Sequence, residues 1–394
     1  LLILAAIIAT FSLLQREARA RVLTSWSVPG VRLFCYAMAA PFAAILLSEG
    51  WHGNIVMNTL DSPSRFLMAI PIFLALQTRR IRIAPWSSLT FGLGGLGAAA
   101  VVVFAPFDWG SGRIGSTFLN PIHFGDIACV LAVLSLVSID WFQRDALAIR
   151  IFKVCGALCA AYASLAGGSR GGWVAVPAVV LLLAALGMRD RAWWQKLAAV
   201  VCASAVIAIP FVFSPTVQSR FGELQADIHS LERGQEDTSV GVRLQLWKAG
   251  GILFSDHPVL GLGALGYKKA MSPLTQEDVL TPLAAELGRG ESHNQLIAYA
   301  VDYGTPGLLA ILLLYAGPAF TLWRQLHAPS RERRHAALMG LVYILSFFIF
   351  GLTVETFTLK LTAAIYSTVL AVLAGLAMSR SEGGSSAAHS STYE

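Results

Sequence analysis

Long apolar runs joined by short loops dominate this chain and leave it few ways to fold. Backbone groups in lipid have no water to bond, so a spanning segment must satisfy its own hydrogen bonds. A helix does this in roughly 20 residues. We read such runs at 1–14, 33–49, 66–77, 89–105, 122–142, 152–167, 173–188, 197–213, 307–323, 336–354 and 361–378. The 66–77 run is short and contains Pro71. Charged residues make up 13% of the chain and hydrophobic ones 56%, whereas a soluble domain carries about 25% charged residues. The fold class is therefore an all-α polytopic membrane protein with about 11 visible transmembrane helices.

The basic residues alternate from loop to loop. One set of loops holds Arg16, Arg19, Arg21 and Arg32; Arg79, Arg80 and Arg82; Arg144, Arg150 and Lys153; Arg189, Arg191 and Lys196; and Arg324, Arg331, Arg333 and Arg334. Arg380 follows the last run, and the opposite short loops hold only Arg65, Arg113, Arg170 and Lys360. Lys and Arg collect on the cytoplasmic side, so the net charge of +6 reads as topology and points to no nucleic-acid partner. The long polar stretch at 214–306 then lies outside the membrane on the far side. Leu1 would start on that side too, which implies one more span upstream and twelve in all. The organisation is 1–213, N-terminal membrane helices; 214–306, an outer loop domain; 307–379, C-terminal membrane helices; and 380–394, a disordered cytoplasmic tail rich in Ser and Gly.

The long loop contains no cysteine, so no disulfide holds it together; all five cysteines lie in or beside apolar runs. Residues 239–254 read as an amphipathic helix with Ser239 as its N-cap. HisPro at 257–258 ends that helix, and Gly261, Gly263 and Gly266 form a tight turn. Residues 293–301 read as a short helix that feeds the next span after Gly304 and Pro306.

Several side chains could carry chemistry. Arg170 sits in GGSRGGW, an outer loop where the charge bias makes an Arg unexpected. It could snorkel to headgroups or face a ligand that the flanking glycines let approach. Arg243 lies on the loop helix one turn before Trp247 and could simply be solvated. Two guanidinium groups together can hold a diphosphate through bidentate bonds. His293, between Ser292 and Asn294, could be a satisfied helix-start residue or a general base, since imidazole titrates nearest neutral pH. Arg113, Asn120, His123 and Asp126 form a second outer group, a structural pair or a site wall. Glu355 could bind an acceptor or merely end a helix. No Asp-x-Asp pair, P-loop or H-E-x-x-H occurs, so no metal or cofactor is expected. GLGALG at 261–266 lacks the strand–turn–helix setting of a dinucleotide site. The glycines at 92, 94, 95 and 97 suit close helix packing.

Taken in order, SRGGW at 169–173, VRLQLWKAG at 242–250, HPVLGLGALGY at 257–267 and SHNQL at 292–296 resemble the O-antigen ligase family (WaaL), within the wider O-antigen ligase/polymerase superfamily. The resemblance implies a GT-C-type, metal-independent glycosyltransferase of the bacterial inner membrane, with its active site facing the periplasm. The donor would be O-antigen linked to undecaprenyl diphosphate, and the acceptor lipid A–core oligosaccharide. It implies that His293 is the catalytic base and that Arg170 and Arg243 bind the donor diphosphate. Arg113, His123, Asp126, Trp247, Asn294 and Glu355 are further candidates for substrate binding. An O-antigen polymerase and a protein O-glycosylating ligase share these motifs. A lipid-linked glycan transporter is a more distant alternative, and no internal repeat of the kind transporters carry is visible.

Overall fold

A computed structural model describes residues 1–78, 84–110, 112–139, 145–187 and 215–379. The run at 197–213, Cys202 and the tail from 380 lie outside the described residues. Within them the chain forms fifteen helices: α1 (Leu2–Leu13), α2 (Arg16–Trp26), α3 (Pro29–Trp51), α4 (Met57–Thr78), α5 (Ala84–Phe104), α6 (Pro121–Val137), α7 (Leu147–Gly167), α8 (Arg170–Gly187), α9 (Pro215–Glu232), α10 (Ser239–Asp256), α11 (Gly266–Gln276), α12 (Pro282–Gly288), α13 (Gln295–Gln325), α14 (Arg331–Gly351) and α15 (Lys360–Ala377). Strands β1 (Phe107–Asp108) and β2 (Ile114–Gly115) pair antiparallel as a small hairpin before α6.

Among the described residues six helices are long and apolar enough to cross a membrane: Pro29–Trp51, Met57–Gln77, Leu147–Gly167, Gln295–Gln325, Arg331–Gly351 and Lys360–Ala377. The helices Leu2–Leu13, Leu89–Phe104, Pro121–Val137 and Gly171–Leu186 are apolar but shorter. Large apolar side chains on these helices stay exposed, among them Phe11, Leu47, Val103, Leu158, Leu181 and Phe320. Exposed apolar surface on this scale suits a lipid environment.

Some boundaries move. The short run at 66–77 is part of a 22-residue helix that begins at Met57 and passes through Pro63 and Pro71. Its polar first half is paired: Arg65 Nη2 lies 2.6 Å from Asp61 Oδ1, and Ser62 donates to the Phe357 carbonyl at 2.5 Å. The run read to 142 ends as helix at Val137. The stretch 16–26 is helical although too polar to have been read as a run. The N-cap of α10 is Thr238, not Ser239; its hydroxyl accepts from Gly241 N.

Small residues permit one close crossing. A Cβ at Gly95 would lie 2.1 Å from the Gly156 carbonyl, so α5 and α7 meet backbone to backbone. The main core joins α1, α3, α4 and α13–α15. The long loop has its own apolar cluster, where Val242, Leu246, Tyr267, Met271 and Ala284 pack on Val301 of α13.

A break in α13 docks that loop. Gly304 takes a left-handed conformation at φ 66°, and Pro306 has no N–H to offer the Asp302 carbonyl. Thr305 N donates to Pro258 O at 2.8 Å rather than continuing the helix. The freed carbonyls of Val301 and Asp302 accept from Leu262 N at 2.9 Å and Gly263 N at 2.8 Å. Asp302 Oδ1 accepts from Tyr267 N at 2.7 Å. From α3, Ser48 donates to Leu260 O at 2.6 Å and His52 Nε2 lies 3.1 Å from Gly261 O. A Cβ at Gly261 would sit 2.5 Å from Val301 O, which explains the glycine there. The HPVLGLGALGY segment is thus the joint between loop and membrane helix.

The bundle has two chemically distinct ends. At one, Arg333 bonds to Gln325 and Ala377 O, and His335 to Val137 O. At the other, the loop joint, the β-hairpin and the turn after α14 come together.

Candidate functional site

The site is built at that second end from three short turns. The first is the start of α6. Asn120 caps it, accepting from His123 N at 3.0 Å, and its Oδ1 also lies 2.9 Å from His123 Nδ1. His123 is buried, and its Nε2 has no hydrogen-bond partner. One turn on, Asp126 is buried and accepts from Ser169 Oγ at 2.5 Å, while its Oδ2 has no partner. Arg113, in the hairpin turn just before β2, donates from Nε to Gly167 O at 3.4 Å and interacts electrostatically with Asp126.

The second turn joins α7 to α8. It is only Gly168 and Ser169, and Arg170 opens α8. Glycine follows because neighbours press close. A Cβ at Gly171 would lie 2.3 Å from Thr353 Oγ1, and one at Gly172 would lie 2.9 Å from Asp126 Oδ1. The SRGG sequence therefore wedges the start of α8 between α6 and the turn after α14.

The third is the turn 289–294, which ends the long loop. Asn294 caps α13, with Oδ1 accepting from Leu296 N at 2.9 Å and Ile297 N at 3.2 Å. His293 adopts a left-handed backbone at φ 54°, a conformation that costs a non-glycine residue about 1–2 kcal/mol. Outliers of this kind cluster at functional sites. The neighbours hold it there. Ser292 N donates to Glu355 Oε1 at 2.5 Å, and Glu355 N to Glu291 Oε2 at 3.4 Å. Glu355 Oε2 accepts from Thr358 at 2.9 Å. The turn carrying Glu355 is anchored in turn, since Phe357 N donates to Gln295 Oε1 at 2.7 Å and its ring packs on Tyr366.

Glu291 is the residue that sequence reasoning missed. Its Oε1 lies 2.8 Å from His293 Nδ1. The ring stands off the best hydrogen-bond line, so Nδ1 has no well-aligned partner in this geometry. Burial pushes the Glu291 carboxyl up, but contact with His293, the charges of His293 and His123 and the Glu355 N–H outweigh it. The carboxyl is held below its ordinary range.

These contacts bring Arg113, His123, Asp126, His293, Asn294 and Glu355 into one cluster, with Arg170 at its edge by chain position. Glu355 and Asn294 spend carboxylate and amide oxygens on the fold itself. Arg243 and Trp247 arrive by a different route, on α10, positioned by the loop's own core. Trp247 Nε1 is buried without a partner. Gly250 of α10 packs directly on α13, where an added Cβ would lie 2.3 Å from Ile297 Cγ2. Among the described residues no three His, Cys, Asp or Glu side chains gather as a metal site.

Comparison with known proteins adds three findings. Residues 155–312 match the O-antigen ligase family model, a stretch that includes Arg170, Arg243, Trp247, His293 and Asn294. An uncharacterized protein of Haemophilus influenzae is 26% identical over 312 residues, 76% of this chain and 75% of that protein. An O-antigen ligase of Escherichia coli is 24% identical over 138 residues, 35% of this chain and 33% of the ligase. The resemblance to the O-antigen ligase/polymerase superfamily is therefore shown, at superfamily level, over the stretch that holds both arginines and His293.

Proposed function

We propose that this chain is an O-antigen ligase: a GT-C-type, inverting glycosyltransferase that moves O-antigen from undecaprenyl diphosphate to lipid A–core oligosaccharide. It needs no metal and no other cofactor. The outer loop at 214–306 faces the periplasm, with membrane helices at 1–213 and 307–379, and the chain crosses the bacterial inner membrane many times.

The observation that most supports this reading is the Glu291–His293 pair at 2.8 Å, on a strained turn where the loop returns to the membrane helix. A carboxylate at Nδ1 fixes the imidazole so that Nε2 presents a lone pair, the logic by which acid–histidine pairs make a base. His293 Nε2 takes the proton of the acceptor hydroxyl. The freed oxygen attacks the anomeric carbon from the face opposite the diphosphate. The bond from anomeric carbon to phosphate oxygen breaks, and undecaprenyl diphosphate leaves with its electron pair. Arg170 and Arg243 stabilise the negative charge that builds on the leaving group, the task a metal performs elsewhere.

The test is the lipopolysaccharide of a strain lacking this gene. Bare core with polymer retained on the lipid carrier supports a ligase. Core capped by a single repeat makes the chain a polymerase, and normal lipopolysaccharide with unglycosylated protein makes it a protein O-glycosylating ligase.

A further inference from the structure

The Arg-rich end of the bundle, opposite the candidate site, contains a cavity of about 370 Å³. It lies where the ends of α2, α4, α13 and α15 meet the starts of α3 and α14. Its polar wall includes Arg333, Gln77, Ser25 and Ser379, and its apolar wall includes Val28 and Met378.

Two features of that wall point to an anion. Arg333 is oriented by the fold: Nε donates to Ala377 O at 2.9 Å and Nη2 to Gln325 Oε1 at 2.7 Å. A guanidinium has five N–H donors in a planar fork, so two fixed bonds leave others for the cavity. Gln77 is 8% exposed, and its Nε2 has no hydrogen-bond partner. A buried donor without an acceptor is unsatisfied and can bond an acceptor atom that enters the cavity. Among the described residues the polar wall thus presents donors from a guanidinium, an amide and the Ser25 hydroxyl, and no carboxylate lines it; the Ser379 hydroxyl is spent on Leu376 O at 3.0 Å. The apolar residues beside them suit the glycerol and upper acyl region of a lipid. Basic pockets between helix ends on the Lys/Arg-rich side of a membrane take phosphate headgroups.

We propose that this cavity binds a phosphate ester, presented by an anionic phospholipid of the leaflet at the Arg-rich end. Arg333 pairs with the phosphate oxygens, and Gln77 Nε2 donates to one of them.

The test uses the purified full chain in detergent, with bound lipid counted by native mass spectrometry and stability followed by thermal unfolding. Phosphatidylglycerol, phosphatidylcholine and inorganic phosphate are added separately. Phosphatidylglycerol should be retained and should raise the unfolding midpoint; phosphatidylcholine should do neither. Arg333→Gln should weaken retention about tenfold, the loss typical of a charge-assisted hydrogen bond. Because Arg333 also ties α14 to α15, Gln77→Met provides the second variant. It removes the unpartnered donor at nearly constant shape, so the lipid-free protein should unfold at or above the wild-type temperature while the phosphatidylglycerol shift shrinks. Equal retention of both lipids, or unchanged phosphatidylglycerol binding by Gln77→Met and Arg333→Gln, overturns the site. Stabilisation by inorganic phosphate equal to that by phosphatidylglycerol overturns the lipid as its source.

Discussion

Replacing Glu355 with Ala should disarm the candidate site without touching His293. Its carboxylate takes the N–H of Ser292, a fully buried residue at 0% exposure, at 2.5 Å, and the Thr358 hydroxyl at 2.9 Å. Hydrogen bonds to a charged partner contribute about 1.5–3 kcal/mol, and a buried donor left alone costs about 1–3 kcal/mol. The left-handed backbone of His293 costs about 1–2 kcal/mol. The Glu355 contact is therefore as large as the strain it opposes, and its loss lets the 291–294 turn relax. Each 1.4 kcal/mol is about tenfold in population, so the ordered turn should become about ten- to a hundredfold rarer. The assay is transfer of a lipid-linked donor by purified enzyme, run beside thermal unfolding. Glu355→Ala should lose kcat by that factor. Glu355→Gln, which keeps one carbonyl acceptor for Ser292 N, should recover most of it. Near-normal kcat in Glu355→Ala would refute the reasoning. A raised acceptor KM with unchanged kcat in both variants would make Glu355 an acceptor-binding group instead.

Arg170→Lys and Arg243→Lys should insert and fold but lose about 10²–10³ in transfer rate, because an ammonium cannot reproduce a bidentate fork; near-normal rates in both remove them from the diphosphate site. Glu291 has a folded pKa below its ordinary value of about 4.3. Its contribution to stability is therefore complete above that value and drains away as pH falls through the folded pKa. The gap in unfolding temperature between wild type and Glu291→Gln should be open at pH 7 and close towards pH 3; a gap independent of pH contradicts a stabilised Glu291 carboxylate. Gly261→Ala places a methyl 2.5 Å from Val301 O on a φ of +67°, so it should loosen the loop joint. Faster proteolysis within 214–306 reads this out.

Much of the fold was legible because lipid imposes a simple rule on sequence. Any long apolar run had to be helix, and most of the runs within the described residues are. The misjudged segments share a cause: α2 is polar, and the first half of α4 carries Asp61, Ser62, Ser64 and Arg65. Those side chains are satisfied by Lys360, Phe357 and one another, partners distant in sequence or hidden from a hydropathy reading. The arginines and His293 stood out by position in the chain and by their motifs. Glu291 stood two residues from His293 and carried no pattern of its own. The bonds that give it a role reach Glu355 across 64 residues, and only the closing of α13 against α14 brings them together. The Gly-rich HPVLGLGALGY segment was legible as a turn, but its partner carbonyls were not. They exist because Gly304 and Pro306 break α13.

The assignment of His293 as the base is tested most directly by separating binding from chemistry in its variants. His293→Ala and His293→Gln would be assayed for lipid-linked donor affinity, and for single-turnover transfer across pH 5–9. General-base assistance contributes about 10²–10⁴ in rate. Both variants should bind donor as wild type does, lose transfer by that factor, and lose the acid limb of the pH profile. Much weaker donor binding by His293→Ala, or substantial transfer by His293→Gln with an unchanged pH profile, would make His293 a positioning group rather than the base.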